Sequence, residues 1–353
     1  MTRKNTKAIL VSNLKIGGDS PVSLQSMTNT DTRNVSETIK QIKGLENIGC
    51  QLIRVAVPDD EAAEALRKIK QSISIPLVAD IHFDYRLAIK SVQMGADKLR
   101  INPGNIGDFD KVKKIASICK DYGVPIRIGV NGGSLEKKII QKHGGPTAEA
   151  MVESCLNYIW KMEDIDFTNI IISLKSSDLQ TTISAYRSIS KQVDYPLHIG
   201  VTEAGTIEAG AIKSAIGIGS LLIDGIGDTA RVSLTSSPIN EIKVGKQILA
   251  SLGLLSNKIQ IISCPTCGRC QIDLIYLAEE IEKAVRLIPK SITIAVMGCA
   301  VNGPGEAREA DLGIAGGKGS ALLFKKGKII RKLTEDEIVP ELIKEINLLE
   351  PSK

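Results

Sequence analysis

The run Leu52-Ile53-Arg54-Val55-Ala56-Val57, then Asp60 to Ser72, then Pro76-Leu77-Val78-Ala79-Asp80-Ile81, decides the fold. A short apolar strand is followed by an amphipathic helix and a second short apolar strand, which is one β-α-β unit. The same rhythm extends in both directions. Strands are expected at 22–27, 52–57, 76–81, 98–102, 125–130, 169–174, 196–201 and 221–224. Helical patterns fall between them, among others at 35–48, 60–72, 108–122, 147–162, 179–192 and 206–218. Eight strands alternating with helices predict an α/β chain with a (β/α)8 TIM-type barrel. An open doubly wound sheet is the second choice, because no Gly-x-Gly-x-x-Gly opens the first unit. Residues 7–17 alternate and read as a hairpin, turning at Gly17-Gly18, that could plug one end of the barrel.

A second domain is expected from residue 254. A strand at 258–263 leads into cysteines, a helix spans 272–288, and further strands are read at 291–297, 311–315, 321–325 and 328–333. Thr334 and Glu337 form a capping box that opens a final helix. The predicted division is a substrate-binding barrel at 1–253 and a small α+β domain at 254–353.

The 353 residues are 43% hydrophobic and 24% charged, an ordinary globular composition. Aromatic residues make up only 3%, which argues against stacking platforms for single-stranded nucleic acid. A net charge of +5 suits an anionic small substrate without requiring a polyanion. No apolar run reaches transmembrane length, and Met1-Thr2-Arg3-Lys4-Asn5 leads into no signal-peptide core. The expectation is a cytoplasmic protein with no nucleic-acid or membrane partner.

Active-site groups of such barrels lie at the C-terminal ends of the strands. Strand two carries Arg54, and strand three ends Asp80-Ile81-His82. Strand four gives Arg100 and Asn102, strand five Arg127 and Asn131, and strand six Lys175. Strand seven ends at His198, Thr202 and Glu203, and strand eight at Asp224, Gly227, Asp228 and Arg231. Four cations converging on one mouth suit a doubly phosphorylated or diphosphate ligand, since guanidinium forks match phosphate oxygens. Asp80 and Glu203 are acids at the same rim, able either to pair with arginine or to move protons. His82 reads equally as a ligand contact or a structural histidine.

Four of the seven cysteines cluster late in the chain, at Cys264, Cys267, Cys270 and Cys299. From spacing alone, a structural zinc tetrahedron and an iron–sulfur cluster are both open. Zinc would make the chain a phosphate-binding barrel enzyme with a structural module.

Ser263-Cys-Pro-Thr-Cys-Gly-Arg269, the stretch Met297-Gly-Cys-Ala-Val-Asn-Gly-Pro-Gly-Glu-Ala307 and Gly313-Ile-Ala-Gly-Gly317 closely resemble the 4-hydroxy-3-methylbut-2-en-1-yl diphosphate synthase family. So do Gln25-Ser-Met-Thr28, Ala79-Asp-Ile-His82, Lys98-Leu-Arg-Ile-Asn-Pro-Gly-Asn105, Arg127-Ile-Gly-Val-Asn131, Val201-Thr-Glu-Ala-Gly205 and Gly225-Ile-Gly-Asp-Thr229. The resemblance spans nearly the whole chain, in the compact bacterial form. It implies an oxidoreductase of non-mevalonate isoprenoid biosynthesis with a [4Fe–4S] cluster on Cys264, Cys267, Cys299 and Glu306, leaving Cys270 as an extra sulfur. It implies a cyclic diphosphate substrate, 2-C-methyl-D-erythritol 2,4-cyclodiphosphate, held by Arg54, His82, Arg100, Asn102, Arg127, Asn131 and Lys175. Asp80 and Glu203 would handle protons, and Glu306 would give way to a substrate oxygen. Flavodoxin or ferredoxin as electron donor, and a head-to-tail homodimer in which one chain's cluster domain caps the other's barrel, are implied as well.

Overall fold

The computed structural model describes residues 3–255, 259–286, 288–299 and 309–349, the Pro103 side chain excepted. The chain divides into two compact units, Met1–Leu252 and Gly253–Lys353.

In the first unit a hairpin of β1 (Ile9–Val11) and β2 (Leu14–Ile16) precedes the barrel. The barrel strands are β3 (Ser23–Met27), β4 (Leu52–Ala56), β5 (Leu77–Ile81), β6 (Lys98–Ile101), β7 (Ile126–Asn131), β8 (Ile170–Lys175), β9 (His198–Ile199) and β10 (Thr229–Ala230). All pair in parallel, in the order β8-β7-β6-β5-β4-β3-β10-β9. A parallel bridge between Ile172 and Leu197 joins the two ends of that order, so the barrel closes. The predicted (β/α)8 architecture is present.

The helices around it are α1 (Val35–Asn47), α2 (Asp60–Ser72), α3 (Tyr85–Gln93), α4 (Pro103–Ile106), α5 (Phe109–Tyr122), α6 (Lys137–His143), α7 (Ala148–Glu163), α8 (Leu179–Ile189), α9 (Ile207–Ile223) and α10 (Pro238–Ser251). Side-chain caps start several of them. Asn34, Asp59, Asp84, Thr147 and Asp178 each accept a backbone N–H from the first turn of the helix that follows. Among the described residues no helix is long and apolar enough to cross a membrane.

Two expectations are corrected. The eighth strand is Thr229–Ala230, and residues 221–224 finish α9 and its cap. The outward face of α9 is itself apolar, with Ile212 57%, Ile216 49% and Ile223 56% exposed, so no polar alternation marks Leu221-Leu222-Ile223 as helical. Asp224, Gly227 and Asp228 therefore precede the eighth strand and lie at its base, not at the mouth. Asp228 accepts hydrogen bonds there from Arg3 Nη2 at 2.7 Å, Thr6 Oγ1 at 2.9 Å and the Leu197 amide at 2.8 Å. The hairpin turns between β1 and β2 rather than at Gly17-Gly18. Its Ile9, Val11 and Ile16 pack against Leu52, Val78 and Ile171, at the N-terminal ends of β4, β5 and β8. That plugs the barrel floor and leaves the C-terminal rim as the working face.

The second unit is a five-stranded sheet: β11 (Gln260–Ser263), β12 (Thr293–Met297), β13 (Leu312–Gly317), β14 (Ser320–Lys325) and β15 (Lys328–Leu333), in that order. The first three strands are parallel and the last two antiparallel. Helices α11 (Leu274–Val285) and α12 (Ile338–Leu348) accompany the sheet, and their Leu277, Ile281, Leu342 and Ile346 share a buried core with Ile294, Val296, Ile314 and Leu323. The Thr334–Glu337 capping box is formed, on a 3-10 turn that runs into α12.

Candidate active site

Six side-chain cations gather inside the barrel and at its rim: Arg54 on β4, Lys98 and Arg100 on β6, Arg127 on β7, Lys175 closing β8, and Arg231 immediately after β10. Apart from Arg54 and Arg231, which are part-buried, all are buried, and Lys98 and Arg127 are almost wholly so. Parallel register sets Asp80 beside Arg100 and Arg100 beside Arg127. Arg100 Nη1 donates to Asp80 Oδ1 at 3.1 Å, and Arg54 Nε lies 3.7 Å from Asp80 Oδ2. His82 Nε2 is 3.4 Å from Asp80 Oδ2 and 3.2 Å from Arg100 Nη1. Behind the ring, Glu241 of α10 accepts from Ser26 Oγ at 3.0 Å and stands 3.6 Å from Arg231 Nη2.

The four arginines against two carboxylates, Asp80 and Glu241, leave an excess of two positive charges before either lysine is counted. Burial pushes the Lys98 and Lys175 ammoniums and the Arg127 guanidinium well below their usual values, and neighbouring cations push the same way. Arginine stays charged under such pressure, so the cost of burial is carried by the fold. Arg127 Nε and Nη1 are buried without a hydrogen-bond partner, as is Arg231 Nε. A multiply charged anion is the ligand that such an arrangement suits. Gly129 of β7 makes room for the Arg100 guanidinium: a Cβ there would stand 3.0 Å from Arg100 Nε and 3.3 Å from Ser173 Oγ.

The structure thus brings together Arg54, Asp80, His82, Arg100, Arg127 and Lys175. Asn131 ends β7 in register with Lys175. Asn102 is engaged locally, since its Oδ1 accepts from the Gly104 amide at 3.1 Å and its Nδ2 donates to Ser134 Oγ at 2.7 Å. It holds the loop after β6 in place. Glu203 is exposed, in the left-handed region at φ 55°, and no hydrogen bond or ion pair joins it to the cation ring. Strained non-glycine backbone of this kind concentrates at functional loops. Sequence reading named Arg231 at the rim but left it out of the clamp, and it missed Lys98, Glu241 and Gly129. Lys98 and Arg100 do alternate with Leu99 and Ile101, a period of two that places both cations on one strand face.

Burial alone would raise the Asp80 carboxyl, but Arg54, the His82 hydrogen bond and Arg100 override it and hold the group well below the usual carboxylate range. Its folded value is depressed, so its stabilisation is full above the unfolded value of about 3.9 and fades as pH falls below that. Asp80→Asn should leave Arg54 and Arg100 uncompensated, destabilise the fold by about 3–5 kcal/mol and lower Tm by roughly 6–20 °C at neutral pH. The deficit should shrink on acidification below about pH 4. A Tm that does not move at pH 7 would contradict this pairing.

In the second unit, Cys264 directly follows β11 and Cys299 lies two residues past β12, on adjacent parallel strand ends. Cys264 Sγ accepts the Gly298 amide at 3.2 Å. Cys267 is exposed in the intervening loop. Cys270 Sγ donates to the Ile272 carbonyl at 3.3 Å, and a Cβ on Gly298 would meet that sulfur at 2.5 Å. Glu306 lies outside the described residues, and among those described no three His, Cys, Asp or Glu side chains form a metal-holding group. The donors present are soft thiols at two neighbouring strand ends, one already receiving a backbone N–H, a set compatible with an iron–sulfur group.

Fold and site define an anion-binding TIM barrel joined to a cysteine-bearing α+β unit. The chain belongs to the GcpE family: residues 6–246 match the GcpE TIM-barrel domain and residues 260–348 the GcpE protein C-terminal domain. It is 59% identical over 345 residues to the 4-hydroxy-3-methylbut-2-en-1-yl diphosphate synthase (flavodoxin) of Ruminiclostridium cellulolyticum, covering 98% of each chain. It is also 59% identical to the Caldanaerobacter subterraneus protein of the same name, covering 98% of this chain and 97% of that one. Among solved structures, the Yersinia pestis dihydropteroate synthase shares the fold at a TM-score of 0.51 and 10% identity, over 71% of this chain and all of that one.

Proposed function

We propose that this chain catalyses the reaction for which its relatives are named, the formation of 4-hydroxy-3-methylbut-2-enyl diphosphate. The substrate is 2-C-methyl-D-erythritol 2,4-cyclodiphosphate. Counted on the neutral acids, two electrons and two protons enter, the ring C–O bond to the diphosphate breaks, one hydroxyl departs as water and a C=C bond forms. The observation that carries this reading is the excess of arginine charge over carboxylate lining the barrel, with the unpartnered Arg127 nitrogens inside it.

Arg54, Arg100, Arg127 and Lys175 bind the cyclic diphosphate, and Asn131 and His82 complete the rim around it. Asp80, held ionised, orients Arg54, Arg100 and His82 and does not serve as a proton donor near neutral pH. Glu203, on its strained loop, is the carboxyl left to move a proton at the substrate. Asn102 acts through the loop it fixes. Cys264, Cys267 and Cys299, with Glu306, would hold a [4Fe–4S] cluster, which when bound supplies one-electron reduction. Flavodoxin is the donor that the relatives' names point to, with ferredoxin as the alternative.

The test is anaerobic, with reduced flavodoxin as the only electron source. Adding the cyclic diphosphate should oxidise flavodoxin at two electrons per product, and protein stripped of iron should give none. A colourless protein that carries stoichiometric zinc and oxidises no flavodoxin would favour a structural-zinc barrel instead.

We further propose a head-to-tail homodimer that pairs one chain's barrel with the other's cysteine unit. Verified mixed dimers of a Cys264→Ser chain with an Arg127→Met, Lys175→Met chain should regain activity that neither parent shows. Mixed dimers no more active than the parents would reject that pairing.

A further inference from the structure

Lys98 opens β6, is fully buried, and its Nζ has no hydrogen-bond partner. It shares the inward face of β6 with Arg100, two residues nearer the mouth, a step of about 7 Å along a strand. The charged and titratable groups acting on it are Arg127 of β7, Arg54 of β4 and His198 of β9. No carboxylate is among them, and Asp80 is paired with Arg54, Arg100 and His82. His198 is also fully buried, with Nε2 unpartnered, and burial followed by the surrounding cations presses it towards the neutral form. An amine in this place is therefore driven towards the neutral form while the mouth is empty, since an unpaired ammonium there would face burial and two guanidiniums together. A diphosphate bound by the ring above offsets that field.

We propose that Lys98 is a charge-regulating positioning residue beneath the diphosphate site, taking up a proton as the polyanion enters and so tying affinity to pH. The proposal rests on the reading of the mouth as a diphosphate site. Lys98 needs no contact with the ligand, because one unit charge at about 10 Å in a protein interior shifts affinity by roughly tenfold. Affinity should rise as pH falls towards the amine's ligand-free pKa, because less work remains to protonate it. Selectivity follows as well, since a singly charged phosphate ester would draw the proton less strongly than a diphosphate.

The experiment is calorimetric titration of the intact protein with inorganic pyrophosphate, in two buffers of different ionisation enthalpy, repeated across pH. Lys98→Met fills the same space without an amine. The ligand's own titration and that of Lys175 are common to both proteins and cancel in the comparison. Wild type should take up more protons per pyrophosphate than Lys98→Met. The variant should bind more weakly at pH 7, by up to about tenfold, with a flatter pH dependence. Its ligand-free Tm should equal or exceed that of wild type, because an unpartnered buried amine has been removed. A residue with a purely structural role would instead lower Tm and leave proton uptake unchanged. Lys98→Gln is the second variant should the methionine protein fail to fold, with the same expected loss of uptake. Equal proton uptake by wild type and variant overturns the role of Lys98. A wild type that does not bind pyrophosphate overturns the diphosphate reading and this proposal with it.

Discussion

Arg127→Met should lower kcat/KM for the cyclic diphosphate by roughly 10²–10⁴-fold, mostly through a raised KM. Two of its nitrogens are buried and unpartnered, and each charged hydrogen bond to a ligand contributes about 1.5–3 kcal/mol. The clamp grips phosphate oxygens in both ground and transition states, so its loss weakens binding more than turnover. The ligand-free variant should be no less stable than wild type, because a wholly buried guanidinium has been replaced by an apolar side chain. Iron content should not change. An unaltered KM would place the diphosphate elsewhere. A collapse of Tm would mean that Arg127 holds the fold rather than the ligand.

Serine at Cys264, Cys267 or Cys299 should remove the iron and the brown colour of anaerobic protein, and lower activity on the order of 10³-fold or more. Each change substitutes a poorly matched hydroxyl for a thiolate. Cys270→Ser should keep the iron. Its sulfur is turned to the Ile272 carbonyl and packed against Gly298, where a hydroxyl can make the same hydrogen bond. Iron and the visible spectrum are read independently of turnover. Loss of iron from the Cys270 variant, or its retention in the Cys264 variant, would overturn the ligand assignment.

The barrel is legible in the sequence because its parallel strands, buried on both sides, are short apolar runs, and most of the helices between them carry side-chain caps. The reading fails where that contrast fails. The strand Thr229–Ala230 is too short to carry a pattern, and the apolar outer face of α9 supplies a decoy next to it. Arg54, Arg100 and Arg127 stand out because a cation inside an apolar strand is conspicuous. Lys98 does not, because at the first position of a strand it looks like a solvated boundary residue. Asp80 and Glu203 read alike in sequence, yet one is locked between guanidiniums and the other stands on an exposed, strained loop. Only the register that sets Asp80 beside Arg100 separates them.

The central claim, that the cation-lined barrel opens a cyclic diphosphate reductively, is tested most directly by identifying the product. Anaerobic iron-loaded protein, the cyclic diphosphate and excess reduced flavodoxin are followed by phosphorus NMR. The account predicts that the two ring-phosphate signals give way to those of a linear allylic diphosphate, in proportion to flavodoxin oxidised. Ring signals that persist while flavodoxin is consumed, or a ring opened without any reductant, would contradict it.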